Sequence, residues 1–339
     1  MRRLAAALAL CLSLQGLLRA QGTLLALCYH RFGPEKAGDD YQISVERFEA
    51  QLAWLKSEGW KPAKLAQAQQ AAQGSLGEGK WVLLSIDDGY KAGALGAAAL
   101  ERQGYSGVFF VYPNPIGRSK SWLGWEELKG LEASGHEVAS HSFTHPNLAR
   151  PEKGESRRAY QYRVRHELKE SKVRLEKGLG HEVQALAYPF GAYDPYVEAQ
   201  ARTAGYTLGF SVSGGVVEQG DPALRLRRLL VLGRPALEPF KSMVASQLGA
   251  RPLVRGLEEG AMYVPAEVPA RVQVKAAGQA IVSLGAKRLV KGEGGYALGQ
   301  VKPGFHFLKV ETKAGAQQST HQILFQVIPA ARAGYYKGQ

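Results

Sequence analysis

The chain has 339 residues, of which 45% are apolar and 22% charged, as expected for one large or two smaller folded domains. Its formal charge is +13, and removing the N-terminal Arg2, Arg3 and Arg19 lowers this to +10. The remaining cations are scattered and form no basic helix interleaved with aromatic residues, which argues against nucleic-acid binding. Of the two cysteines, Cys11 would leave with a cleaved export signal and Cys28 would remain alone, so we expect no intramolecular disulfide in the mature chain.

The first twenty residues have the plan of a secretory signal peptide. Two arginines precede an apolar run over residues 4–18, and the small residue Ala20 stands before the expected cleavage point. We therefore expect residues 1–20 to be removed and the mature protein to be exported, either to a periplasm or out of the cell. No later stretch is long and apolar enough to predict a membrane span, and the oligomeric state stays open.

From residue 24 to about residue 253, short apolar runs alternate with amphipathic stretches. Ser44 is placed to cap a helix that carries Phe48, Leu52 and Leu55 on one face and ends at Gly59. Alternating strands and helices predict a parallel sheet, most simply a (β/α) barrel over residues 21–253. The predicted strands are 24–29, 81–86, 107–112, 137–140 and 185–188, and the two further helices are 160–179 and 195–203.

After residue 253 the apolar period changes to two, which indicates a second, all-β unit. Turns rich in glycine and proline separate the alternating segments. We expect a linker over residues 254–269 and a small antiparallel, sandwich-like β-domain over residues 270–330. The predicted strands are 271–275, 280–284, 287–291, 305–311 and 322–328.

Two short motifs about fifty residues apart carry the candidate chemistry. Asp87-Asp88-Gly89 ends one predicted strand, and His141-Ser142-Phe143-Thr144-His145 follows another. One carboxylate and two imidazoles form a three-ligand set that leaves coordination positions on a metal open for water and substrate. The second carboxylate is then available as a base toward that water.

Each motif alone has a simpler interpretation, since Asp-Gly is usually a turn and a His pair often lies on a surface. Their common position favours function. His30, the Asp pair, His141 and the segment Pro189-Phe190-Gly191 all follow directly on a predicted strand. The carboxyl ends of parallel barrel strands open on one face, where the active sites of such barrels lie.

Over residues 24–235 the chain resembles the polysaccharide deacetylases, a family of metal-dependent carbohydrate esterases with a distorted (β/α) barrel. Asp87-Asp88-Gly89 matches the Asp-Asp-Gly motif of the family, and His141 and His145 match its His-Ser/Thr-x-x-His motif. The resemblance implies that Asp87 is the catalytic base. It also implies that Asp88, His141 and His145 hold one divalent metal ion, with zinc expected first and cobalt or nickel as alternatives.

A third segment, 187–191, resembles the Pro-Tyr-Gly motif of the family, which makes the backbone N–H of Phe190 the candidate oxyanion donor. Other family features are missing, because no Arg precedes Pro189, no Asp-Trp pair follows and no late Leu-x-x-His motif occurs. The subgroup acting on poly-N-acetylglucosamine has an early Tyr-His, which Tyr29-His30 matches. In that case His30 is the general acid, and the alternative is a strand-end residue that caps a loop.

The resemblance implies hydrolysis of N-acetyl groups on an N-acetylglucosamine polysaccharide, the expected partner, with release of acetate. Two alternatives stay open: an O-acetyl esterase using the same site, and a polysaccharide-binding protein that has lost activity. Arg228 resembles an arginine common in the subgroup, but the sequence assigns it no role. Tyr112, Trp122 and Trp125 suit either sugar stacking or packing within the barrel.

Overall fold

The structure is a computed structural model, and it describes residues 22–34, 38–233, 236–315 and 317–335. The expected signal peptide, residues 1–20, lies outside the described residues. Within the part of the chain that is described, no helix is long and apolar enough to cross a membrane.

An α/β unit occupies the first two thirds of the chain. Its seven helices are α1 (Val45–Ser57), α2 (Leu65–Gln73), α3 (Gly93–Gln103), α4 (Trp125–Ala133), α5 (Arg157–Leu179), α6 (Pro195–Thr203) and α7 (Leu237–Ala245). Its strands are β1 (Thr23–Tyr29), β2 (Arg31–Phe32), β3 (Gln42–Ile43), β4 (Trp60–Pro62), β5 (Lys80–Asp88), β6 (Gly107–Val111), β7 (Glu137–Ser140), β8 (Ala185–Ala187), β9 (Leu208–Phe210), β10 (Val216–Val217) and β11 (Leu229–Leu230).

One nine-stranded sheet forms the centre of this unit. Strands β1, β5, β6, β7, β8 and β9 run parallel in that order, β10 joins β1 antiparallel, and β4 pairs parallel with the start of β5. The chain then returns from β9, because Leu226 bridges to Phe210 and β11 pairs parallel with β1. This return curls the sheet into a distorted, partly closed barrel, as the sequence predicted.

The two faces of the sheet follow the period of two along each strand. In β1, Leu25 and Leu27 face the outer helices, whereas Leu24 and Ala26 join the inner cluster with Leu83. Small alanines of β7 and β8 also lie in that inner cluster, so the barrel interior is narrow. The next inward positions, Cys28 on β1 and Ser85 and Asp87 on β5, therefore lie in a tightly packed space.

The predicted helices are found close to their expected bounds. The Ser44 hydroxyl accepts a hydrogen bond from the Arg47 N–H and caps α1, whose buried face includes Phe48, Leu52 and Leu55. The predicted helix 160–179 starts three residues earlier, at Arg157, where Ser156 supplies a second side-chain cap. Helix α6 starts at Pro195 and ends at Thr203, as predicted.

The C-terminal β-rich region is a two-sheet sandwich. Its strands are β12 (Leu253–Arg255), β13 (Met262–Tyr263), β14 (Arg271–Lys275), β15 (Gln279–Leu284), β16 (Lys287–Arg288), β17 (Lys291–Gly292), β18 (Gly295–Ala297), β19 (Gly304–Ala314) and β20 (Gln317–Val327). One sheet has the order β12-β14-β18-β17 and the other β13-β20-β19-β15-β16. Alternate residues such as Val272, Val282, Val310 and Phe325 fill the space between them.

The segment 254–269, which the sequence presented as a linker, takes part in this sandwich. Strand β12 pairs with β14, β13 pairs with β20, and Leu257 lies in the sandwich core. We therefore use "β-domain" below for residues 253–328. Hydrogen bonds such as that from the Gln326 amide to the Ala149 carbonyl (3.0 Å) join the β-domain to the barrel.

Candidate active site

A cavity of about 290 Å³ opens at the carboxyl ends of the barrel strands. Its lining contains every site residue proposed from the sequence: His30, Asp87, Asp88, His141, His145 and Phe190. The structure thus brings together four chain segments that are separated by up to 160 residues. Their catalytic roles stay predictions, and the geometry below shows what each side chain is able to do.

The two adjacent aspartates reach the cavity by different means. Asp87 continues the inward alternation of Leu83 and Ser85 on β5, and its side chain is buried. Asp88 ends the strand in the left-handed region, with φ 75°, and this turn lets a consecutive residue line the same cavity. Gly89 follows with φ 77°, and a Cβ there would lie 2.9 Å from the Val111 side chain.

The two histidines lie on a tight loop after β7. Ser142 and His145 both have positive φ, 62° and 65°, and the Ser142 hydroxyl accepts a hydrogen bond from the His145 N–H. Among the described residues, the non-glycine positions with positive φ are these two, Asp88 and Phe190. Asp88, His145 and Phe190 line the cavity and Ser142 directly follows the lining residue His141; local strain at such positions is usually functional.

A buried carboxylate from helix α5 fixes the histidine loop. Glu167 accepts hydrogen bonds from the N–H groups of Phe143 and Thr144 (2.9 and 2.8 Å) and from the Thr144 hydroxyl (2.6 Å). We did not predict this role from the sequence, although a signal was present. Glu167 interrupts the apolar face of α5 between Val164 and Leu168, which is the pattern of a buried charge with partners.

The atoms of Asp88, His141 and His145 fit a single divalent metal ion. The two Nε2 atoms lie 3.2 Å apart, and Asp88 Oδ1 is 3.7 Å from His141 Nε2 and 3.4 Å from His145 Nε2. Ligands about 2.0–2.1 Å from a tetrahedral ion lie about 3.4 Å from one another. The Nδ1–H of His141 donates to the Ala187 carbonyl (2.7 Å), which turns the Nε2 lone pair toward the centre.

The candidate base, Asp87, is held by a buried guanidinium. Arg228 Nη1 and Nη2 donate to Asp87 Oδ1 and Oδ2 at 2.7 and 2.9 Å, and both side chains are almost inaccessible to solvent. Arg228 also donates to the Ser85 hydroxyl and the Ser211 carbonyl. Arg228, to which the sequence assigned no role, therefore fixes the orientation of the Asp87 carboxylate.

These contacts separate the pKa values of the two aspartates. Burial raises the pKa of Asp87, but the charges of Arg228 and His141 outweigh it and leave the pKa well below the usual range. Burial, followed by the negative charge of Asp87, raises the pKa of Asp88 to about 7. A metal ion bound to Asp88 would stabilise the charged form of this carboxylate and lower its pKa again.

His30 directly follows β1 and lines the same cavity as the candidate metal ligands. One of its nitrogens, the Cys28 sulfur and an Asp87 oxygen lie within 4.8 Å of one another, and its ring contacts the Tyr41 ring at 4.9 Å. Burial lowers the pKa of His30, and the charge of Asp87 only partly restores it. Within the described residues its buried Nδ1 has no hydrogen-bond partner, and both the general-acid and the loop-capping interpretations stay predictions.

Phe190 occupies a 3-10 turn, Pro189–Gly191, directly after β8. Its φ of 60° lies in the left-handed region, and Gly191 follows with a positive φ against Val212. The Phe190 ring is 62% exposed and contacts the His145 ring at 4.9 Å. The turn thus places the Phe190 ring against His145, a candidate metal ligand, in the lining of the cavity.

The three aromatic residues left open by the sequence lie behind the cavity wall. The Tyr112 ring contacts His145 at 5.3 Å, and the Trp122 ring contacts Tyr112 at 6.0 Å and Tyr90 at 4.9 Å. Trp125 packs against the hydrophobic core, close to Gly178 on α5. Tyr41, Tyr90, Tyr188 and Phe190 are the aromatic residues that line the cavity within the described ranges.

Cys28 and Ser85 complete the environment of Asp87. The buried Cys28 thiol donates to Asp87 Oδ2 at 3.4 Å, and the Ser85 hydroxyl donates to the Leu27 carbonyl while accepting from Arg228. Both residues continue the inward alternation of their strands, 24-26-28 and 83-85-87. The period of two along each strand was therefore the sequence signal that Cys28 and Ser85 face the barrel interior. Burial raises the pKa of the Cys28 thiol, which keeps it neutral and able to donate.

Fold and site together define an α/β protein with a curled parallel sheet and, at its strand ends, an Asp-His-His set that could hold a metal ion. Residues 76–209 match the polysaccharide deacetylase family. Poly-beta-1,6-N-acetyl-D-glucosamine N-deacetylase of Staphylococcus aureus (strain MRSA252) is 23% identical over 230 residues, which cover 62% of this chain and 79% of that protein.

Two solved structures share the fold of the barrel. The Streptococcus pyogenes deacetylase PplD, in complex with acetate, has a TM-score of 0.59 and 21% identity, and the match covers 66% of this chain and 99% of that one. IcaB from Ammonifex degensii has a TM-score of 0.56 and 27% identity, covering 62% and 91%. The chain is therefore similar to the polysaccharide deacetylase family over its barrel, and members of that family are typically metal-dependent hydrolases.

Proposed function

We propose that this protein is a metal-dependent N-deacetylase of an N-acetylglucosamine polysaccharide. One observation carries the proposal. The potential ligand atoms of Asp88, His141 and His145 lie close enough to hold one metal ion, and Asp87, bound by the Arg228 guanidinium, lies next to them. The name of the Staphylococcus aureus relative supports the substrate class. The basic, apolar N-terminus supports export, which would bring the enzyme to an envelope or extracellular polymer.

The reaction adds water across the amide bond, so the acetyl group leaves as acetate and the sugar retains a free amine. A divalent ion on the Asp-His-His set would polarise the acetyl carbonyl and lower the pKa of a water molecule from ~15.7 toward ~7. Zinc is the ion we expect first, and cobalt or nickel would suit the same donors.

The protein groups supply the remaining steps. Asp87 accepts the proton of the attacking water, and Arg228 holds its carboxylate in a single orientation. The Phe190 N–H donates to the oxygen that gains negative charge, and removing a contact of this type costs roughly 3–4 kcal/mol in other enzymes. His30, which lines the cavity close to Asp87, delivers a proton to the leaving nitrogen as the C–N bond breaks.

An O-acetyl esterase is the second candidate, and the state of His30 favours it. Burial lowers the pKa of the His30 imidazole, which disfavours the protonated form that an amine leaving group needs. An alcohol leaves more readily than an amine and depends less on such a donor.

Acetate release tests the proposal directly. We expect the metal-stripped protein to be silent on N-acetylglucosamine oligomers and to regain activity with zinc, cobalt or nickel. Cleavage of acetylated xylan or a simple acetyl ester without any release from the oligomers would assign the esterase function. Bound metal with no turnover on either substrate would indicate a binding protein that has lost activity.

A further inference from the structure

The β-domain contacts the barrel through a largely buried carboxylate, Glu259, on the segment between β12 and β13. Its Oε1 accepts hydrogen bonds from the Ser213 hydroxyl (2.8 Å) and from the Leu324 N–H of β20 (3.2 Å). Its Oε2 accepts from Arg227 Nη2 at 3.3 Å. One side chain thus joins two barrel residues to a central strand of the sandwich.

Arg227 and Arg228 are neighbours that make contacts in opposite directions. Arg227 faces the β-domain, where it also donates to the Gln322 carbonyl of β20 at 3.1 Å. Arg228 faces the active site and holds both oxygens of Asp87. Any force that fixes the Arg227 side chain therefore also restricts the backbone from which Arg228 extends.

A second chain of hydrogen bonds reaches Arg228 from the same carboxylate. The Ser213 hydroxyl, which donates to Glu259, lies 2.9 Å from the Ser211 hydroxyl. The Ser211 carbonyl accepts from Arg228 Nε at 3.1 Å. Glu259 is thus linked to Arg228 by two routes. One runs through Arg227, which precedes Arg228 in the chain, and the other runs through the buried Ser213 and Ser211.

We propose that the β-domain completes the active site, with Glu259 as the positioning residue that keeps Arg228, and through it Asp87, in the reactive orientation. A buried ion pair offsets its desolvation cost only when its geometry is fixed by further hydrogen bonds. Displacing a reacting group by about 1 Å can cost about a hundredfold in rate. The inference rests on the proposed function, in which Asp87 accepts the proton of water.

The test compares Glu259→Gln with Gln326→Met. Glu259→Gln keeps the shape of the side chain but removes its negative charge. Arg227 then meets either the amide NH2, which cannot accept its hydrogen bond, or the amide oxygen, which is a weaker acceptor than a carboxylate. Gln326→Met removes a different hydrogen bond between the β-domain and the barrel and is the matched control. We expect Glu259→Gln to lower kcat about tenfold with KM and metal affinity unchanged, and Gln326→Met to keep a wild-type kcat.

A wild-type kcat in Glu259→Gln, or an equal loss in both variants, would overturn the inference. If Glu259→Gln fails to fold, Ser213→Ala interrupts the same network with a smaller change and is expected to lower kcat in the same way. A measurement independent of activity is the coupling between Glu259→Gln and Arg228→Lys in denaturant unfolding. Purely additive effects would overturn the inference, whereas an inactive wild-type protein would refute only the proposed function.

Discussion

The guanidinium of Arg228 grips both carboxylate oxygens of Asp87 across 141 residues of sequence, at 2.7 and 2.9 Å, in the interior of the barrel. Arg228 reaches Asp87 from a segment far from Pro189, which in this chain follows Ala187 and Tyr188. Arg228 keeps Asp87 ionised although Asp88 lies next to it, and it holds the Asp87 carboxylate in one orientation. Asp87 therefore has a buried cationic partner although no Arg precedes Pro189.

Asp87→Asn should abolish turnover while leaving metal binding intact, because Asp87 is outside the ligand set. Loss of a general base typically lowers kcat by about 10²–10⁴-fold. His145→Ala should lose both turnover and metal, since it removes one of the three ligands. Acetate release and metal content measured on the same preparations check both outcomes, and near-native activity in Asp87→Asn would show that the base is a different group.

Arg228→Met should destabilise the fold by about 3–5 kcal/mol, because it leaves the Asp87 charge buried without its partner. Adding Asp87→Asn to this variant removes the unpaired charge and should restore part of the loss. Denaturant unfolding of the two single variants and the double variant measures this coupling. Equal stability of Arg228→Met and the wild-type protein would contradict the buried pair.

Glu167→Gln should weaken metal binding about 10–100-fold, the usual cost of losing a group that orients metal ligands. The amide nitrogen cannot accept from the N–H groups of Phe143 and Thr144, so the loop carrying His141 and His145 loosens. Glu170→Gln, one turn along α5 and partly exposed, is the control. Metal titration measures the affinity of both variants. Equal metal affinities of Glu167→Gln and Glu170→Gln would exclude this role for Glu167.

His30→Gln should impair amide hydrolysis more than ester hydrolysis, because only the amine leaving group requires a strong proton donor. We expect kcat on N-acetylglucosamine oligomers to fall about 10²-fold or more and kcat on an aryl acetate to change far less. Both substrates are assayed on one preparation with a fixed metal content. Equal losses on the two substrates would assign His30 to binding or structure instead.

His321 on β20 should make the fold sensitive to acid. Burial, followed by the charges of Arg227 and Arg251, lowers its pKa to about 3, whereas an unfolded histidine titrates near ~6.5. Between these pH values the unfolded chain binds more protons than the folded one. The free energy of unfolding therefore falls as pH decreases from about 6.5 to about 3, by up to about 1.4 kcal/mol per pH unit.

Replacing this side chain by His321→Gln should flatten that part of the stability curve. Urea unfolding of metal-stripped protein between pH 7 and pH 4 measures the slope, and His306→Gln on the neighbouring strand β19 is the matched substitution. An unchanged slope in His321→Gln would mean that the acid sensitivity arises elsewhere.

The sequence by itself determined the parts of this protein that depend on local pattern. The alternation of apolar residues placed Asp87 on the inner face of β5, and the adjacent Asp88 and the pair His141 and His145 follow strand ends that meet at one edge. Period and strand order are properties of short segments, so they are visible without coordinates. The same holds for α1 and its Ser44 cap.

Only the tertiary structure decided what surrounds these residues. The role of Arg228 depends on the return of the chain from β9 to β1, which brings residue 228 into the barrel interior. Likewise, Glu259 lies in a segment that looks like a linker, and its partners are in strands and loops far away in sequence. Buried charges are stable only with such distant partners, and no local pattern specifies which residues those are.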